Sequence, residues 1–162
     1  MYHVPKRVAE ASYAILRIGA GLFFLLHGGQ KLLGWFGGMR GTGATAEIAT
    51  QMGIAGILEL VGGALILIGL FTNPVAFILS GEMAVAYFTA HFSRGFWPIE
   101  NQGEPAALYS LIFLFFAFNG AGRFSVDALL QRRRERFVEK ELPREYELPV
   151  PAEKQKIHKR AG

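Results

Sequence analysis

Glu82 and His91 stand inside one apolar stretch, Val75–Phe92, that is long enough to cross a bilayer. A carboxylate near the middle of a span costs at least about 2–3 kcal/mol, so it needs a partner, a proton or a water-filled cavity. Ionisable residues recur in the neighbouring apolar stretches: Arg17, His27 and Lys31 in the first, Glu59 in the second. Such a set can pair charges, exchange protons or hydrogen-bond a polar headgroup, and intramembrane ionisable residues are functional-site candidates by default.

Helical geometry sorts these residues. Arg17, Gly21, Phe24, Gly28 and Lys31 fall within about 40° of one helical line, with the two cations at opposite ends. The glycines on that line admit a second helix at close range. His27 lies about 80° to one side and still faces a bundle interior. Gly56, Glu59, Gly63, Ile66 and Leu70 share a face of the second stretch. Depth favours Lys31 over Arg17 as the partner of Glu59; the pair can be structural, and both cations can equally snorkel to opposite interfaces. His91 points about 180° away from Glu82 on a regular helix, so separate roles are expected unless the span is distorted at Gly81. Glu82 is then the interior acid, neutral when desolvated, or simply bonded to Tyr109 or Ser110. His91 joins His27, Arg94 and Glu104 in a cluster at the outer mouth.

Other chemistries find little support. The chain has no Cys, which removes disulfides, thiol redox chemistry and thiolate ligands. No H-E-x-x-H or His-rich spacing points to a metal. Bis-histidine haem ligation by His27 and His91 is conceivable but disfavoured. No phosphate loop, dinucleotide fingerprint or serine-nucleophile motif is present, and nothing suggests nucleic-acid binding.

Four apolar stretches must position the candidates: about 12–33, 54–71, 75–92 and 106–121, the last marginal in length. Mean hydropathy is +0.27 and 51% of residues are apolar. Four such segments in 162 residues leave too little polar face for a soluble fold. The expected fold is all-α: an integral membrane four-helix bundle over 1–131, then a charged unit over 132–162. Residues 132–162 carry ten Lys/Arg and six Glu, the whole of the +4 net charge. Ser125 is placed to cap a sparse amphipathic helix over 126–142, with Asp127 in its first turn, and an extended or disordered tail is expected beyond Pro143. Gly41–Thr50 is a candidate short surface helix. Lys6, Arg7 and the arginines from Arg123 onward put both termini in the cytoplasm by the positive-inside rule. No cleavable signal peptide is expected, since the first apolar run lacks an A-x-A exit and more spans follow.

The run LRIGAGLFFLLHGGQKLLGWFGG (16–38) resembles the opening signature of the DoxX family of small four-span bacterial membrane proteins. ELVGGALILIGLFT (59–72), GEMAVAYFTAHFSRGFWPIENQGE (81–104) and GAGRFSVDAL (120–129) are similar to its later segments, in order and at fitting spacing. The resemblance covers about 12–130. His27, Lys31, Glu59, Glu82, His91 and Glu104 carry the family pattern, as do Gly28, Gly62, Gly63, Ser125 and Asp127. Ala121 departs from it, where the closing motif often has Pro.

The resemblance implies a four-helix bundle in the bacterial inner membrane and no settled catalytic residue. Relatives are tied to quinone-linked sulfur oxidation, oxidative-stress complexes and accessory roles. The leading expectation is a quinone-associated redox or accessory subunit of a membrane complex, with electrons coming from a protein partner. The alternatives are a non-enzymatic chaperone or assembly module and, more weakly, a small proton-coupled transporter acting as a homo-oligomer.

Overall fold

A computed structural model describes residues 4–141, and among these there are helices and turns but no strand. Helix α1 is Lys6–Leu33. It starts earlier than its apolar run because Pro5 ends the extended backbone and Lys6–Ala11 are mostly good helix formers. It stops at Gly34, whose left-handed backbone (φ 72°) lets its N–H bond Gly29 O.

Helix α2 is Gln51–Ile68. Thr50 caps it by accepting a hydrogen bond from Gly53 N at 3.1 Å, and Gly69 ends it. Helix α3 is Thr72–Arg94 and α4 is Glu104–Asn119. Pro74 and Pro105 lie in their first turns, where a missing N–H costs nothing. Helices α1, α2 and α3 are long and apolar enough to cross a membrane; α4 is apolar but has 16 residues, about 24 Å of helix. Helix α5, Val126–Glu141, begins at Ser125, whose Oγ accepts from Ala128 N at 3.2 Å.

The loop between α1 and α2 corrects one expectation. Gly41–Thr50 is not a helix: Met39 and Ala44 form an isolated antiparallel bridge, and Gly41 and Gly43 adopt positive φ. Left-handed glycines interrupt a helix of this length.

The spans pack as two tight pairs. In α1 and α2, Gly21 faces Gly63 and Gly28 faces Gly56, two helical turns further along. Any Cβ at Gly21, Gly28 or Gly63 would meet the backbone of the facing helix, so this interface admits only glycine there. Helices α3 and α4 are joined by a reciprocal bond: Ser80 Oγ donates to Ser110 O at 2.8 Å, and Ser110 Oγ to Ser80 O at 3.0 Å. Phe24, Ile66, Leu79, Phe113 and Phe116 close the core between the pairs. Contacts divide the chain into one compact unit ending at Leu129 and a second beginning at Leu130. In the second, α5 is strongly charged, and Leu130, Phe137 and Val138 are exposed. The expected tail beyond Pro143 lies outside the described residues.

Candidate functional site

The polar residues gather at two ends of the bundle. At one end, near the Gly69–Phe71 hairpin, Arg17 is 1% exposed. Its Nη1 donates to Ile66 O at 2.5 Å and to Leu67 O at 2.7 Å, and its Nη2 to Phe124 O at 2.7 Å. Ile66 and Leu67 belong to the last turn of α2, where carbonyls favour a cation; Ile66 O also accepts from Gly69 N at 3.1 Å. Arg17 is thus set apart from Glu59 and Lys31, with which the sequence grouped it: it lies about four turns from Lys31 on α1, both of its Nη groups donate to backbone oxygens, and its Nε is buried without a partner.

Asp127 completes this end. Its carboxylate accepts from Phe71 N at 2.9 Å and Thr72 N at 3.0 Å, the opening N–H groups of α3. Its own N–H donates to Gly69 O at 2.9 Å. Tyr13 Oη donates to Gly120 O at 2.6 Å, and Asn73 Nδ2 to Ala117 O at 2.8 Å. The Gly120–Asp127 segment is thus the clasp that seals the hairpin end.

At the loop end lies a cavity of about 770 Å³. His27 and Lys31 of α1, Glu59 of α2, and Glu82 and His91 of α3 all line it. Lys31 Nζ pairs with Glu59 Oε1, the partner that depth favours. Glu59 is 3% exposed, and its Oε2 has no hydrogen-bond partner. Glu82 stands within electrostatic reach of both Glu59 and Lys31, and both of its oxygens are buried without a partner. It does not bond Tyr109 or Ser110: Ser110 is engaged with Ser80, and Tyr109 is a wall of the same cavity.

The separation of Glu82 from His91 is the second correction. A π turn over Tyr87–His91 widens the helix between them and turns His91 back toward the cavity. The distortion is not at Gly81, which faces open space. A second π turn, Leu58–Gly62, contains Glu59. Both π turns therefore carry an ionisable residue of the cavity wall. Neither has a compositional signature, although π turns recur at functional sites.

The expected outer cluster divides. His27 and His91 belong to the cavity. Arg94 and Glu104 do not line it and are exposed. Arg94 Nη2 donates to Ala90 O at 2.9 Å one turn back, and Glu104 sits in the first turn of α4, which favours an anion.

Asn101, fully buried in the loop after α3, is the residue that sequence reasoning underrated. Its Nδ2 donates to Gly95 O at 2.7 Å, and its Oδ1 accepts from Gly103 N at 2.7 Å. Its carbonyl lies 3.1 Å from His91 Nδ1 and fixes that ring. An asparagine between two loop glycines, Gly95 and Gly103, was the available signal.

The cavity has an apolar side opening. Near the hairpin, α2 and α3 touch closely, and a Cβ on Gly62 would collide with Leu79. Toward the loop end they part. Met52 and Ile54 on α2, and Ile78 and Val85 on α3, line the gap and are each about half exposed. Among the described residues, no three His, Cys, Asp or Glu side chains are gathered as metal ligands.

Comparison with known proteins places this architecture. The DoxX family model matches residues 12–92. An uncharacterised protein of Haemophilus influenzae is 48% identical over 118 residues, covering 70% of this chain and 87% of its own length. An uncharacterised membrane protein of Mycobacterium tuberculosis is 27% identical over 137 residues, covering 75% and 83%. No solved structure matches. With the glycine-packed span pair and the cavity's acids lying inside the matched segment, the chain belongs to the DoxX family of membrane proteins.

Proposed function

We propose that the chain binds the headgroup of a membrane quinone in the loop-end cavity and serves as a redox or accessory subunit of a complex in the bacterial cytoplasmic membrane. One observation carries this reading: Glu59 and Glu82 line a mostly apolar cavity and keep carboxyl oxygens buried without partners beside it. Its volume is within the range of small-molecule sites, which combine apolar walls with a few convergent polar groups. Lys31 pairs with Glu59, Glu82 exchanges a proton with the occupant, and His91 bonds it from α3. The side gap between α2 and α3 accommodates a lipid tail. The absence of Cys leaves electron delivery to a protein partner. On this reading both termini face the cytoplasm.

The test is direct. Added short-tailed quinone should raise the thermal unfolding midpoint of the purified protein, and lipid extracts of the membrane-purified protein should contain quinone. Absence of both effects overturns the reading.

A second reading, a non-enzymatic assembly module, draws on α5, whose charged surface carries exposed Leu130, Phe137 and Val138. It predicts that deleting residues 132–162 abolishes co-purification of a partner while Glu82→Gln leaves it intact.

A further inference from the structure

Helix α5 carries its charges in an order that water alone does not require. With Leu130 as the reference and 100° per residue, Phe137, Arg134, Arg133 and Lys140 fall at about −20°, +40°, −60° and −80°. Leu130 and Phe137 are both exposed. Glu135 and Glu139 fall about 140–180° away, on the opposite side. There Glu135 Oε1 accepts from Gln131 Nε2 at 3.1 Å. Arg132 lies on that acidic side, and Glu141 ends both the helix and the pattern.

A helix that faces only water gains from opposite charges three or four residues apart. Arg133, Arg134 and Lys140 have no acid at either spacing. Arg136 has Glu139 three residues on, but Arg132 and Lys140 four residues to either side, where like charges repel. Among the described residues, no ion pair joins Arg133, Arg134, Arg136 or Lys140 to a carboxylate. Cations are thus set beside apolar side chains and away from the helix's own acids.

The start of α5 is held at a defined depth. Asp127 N donates to Gly69 O, and its carboxylate accepts from Phe71 N and Thr72 N. Those residues form the turn between α2 and α3, two helices long and apolar enough to cross a membrane. A turn between two spans lies at the headgroup level. A protein partner would have to be brought to that level, whereas lipid is already there.

We propose that this face of α5 docks on anionic phospholipid in the membrane that holds the spans. Arg133, Arg134 and Lys140 pair with headgroup phosphates, and Leu130 and Phe137 enter the acyl boundary. The inference is independent of what fills the loop-end cavity. It assigns to lipid the face that the second reading gives to a protein partner.

The test uses the full chain in lipid nanodiscs. Because the chain has no Cys, one introduced Cys takes one label. A neutral fluorophore is placed by Phe137→Cys on the proposed face or by Glu135→Cys on the opposite one, and is quenched with acrylamide from the water. In discs containing phosphatidylglycerol, the label at 137 should be quenched about threefold less than the label at 135, since each cation near an anionic surface favours docking about fivefold. The difference should fall below about 1.5-fold in pure phosphatidylcholine discs and at about 0.5 M salt. Arg133→Gln with Arg134→Gln should abolish it in the same way. On the unaltered chain, backbone amides of 130–140 should exchange with deuterium about threefold more slowly in the anionic discs than in the neutral ones. Equal quenching at the two positions, or equal exchange in the two lipids, overturns the inference. So does protection that ignores lipid charge and salt. Protection of position 137 that appears only when a membrane-protein extract is added overturns it in favour of a protein partner.

Discussion

The hairpin end and the loop end of this bundle are built from the same ingredients, a cation and a carboxylate of which one is buried, and they use them in opposite ways. Arg17 and Asp127 do not bond each other. Each is turned onto backbone groups at the ends of α2 and α3. Lys31 and Glu59 do bond each other, and Glu82 beside them bonds nothing. At the hairpin end polarity closes the structure. At the loop end it borders a cavity.

That contrast can be broken experimentally, and the largest effect should come from Arg17. Arg17→Met removes three charge-assisted bonds and strands buried carbonyls, so it should destabilise the fold by roughly 3 kcal/mol or more. Denaturant unfolding in detergent measures this; a near-neutral result would show that the clasp does not hold the hairpin. Asp127→Ala strips the cap from α3 and should cost about 1–2 kcal/mol in the same assay. Full stability in that variant would mean that water replaces the cap.

Glu82→Leu should move the other way. Replacing a carboxyl without partners by an apolar side chain should stabilise the fold by about 1 kcal/mol while removing the ligand-induced thermal shift. A strongly destabilised Glu82→Leu protein would place Glu82 with Arg17 as a structural group. Arg94→Ala should change stability by less than about 0.5 kcal/mol and leave ligand binding as it was. A lost thermal shift there would return Arg94 to the site.

The two ends also differ in how far they can be read from sequence. The Lys31–Glu59 pair follows from depth and from the glycine-lined faces of the two helices, since Glu59 lies near the start of its π turn. The paired faces of Gly21 and Gly28 with Gly56 and Gly63 follow for the same reason. The place of His91 does not, because a π turn shifts the angular register and no residue type announces it. The backbone partners of Arg17 are not legible, because a cation on a glycine-lined face suits a carboxylate or an interface as well as a helix C-terminus. Asp127 sits in the first turn of α5 as expected, yet its carboxylate serves α3. That partnership spans 55 residues and leaves no local pattern.

The Asp127 cap has a consequence in time. The chain is made from its N-terminus, so α2, the hairpin and α3 leave the ribosome well before residue 127 does. Until then the opening N–H groups of α3 have no partner from the chain, and Arg17 lacks the Phe124 carbonyl. Helices α1 to α3 thus enter the bilayer as an unlocked set, and the bundle is fastened only when the segment after α4 emerges and folds back over the hairpin. A nascent chain stalled before Asp127 would hold every residue of the cavity and still lack the closure that keeps the hairpin in place.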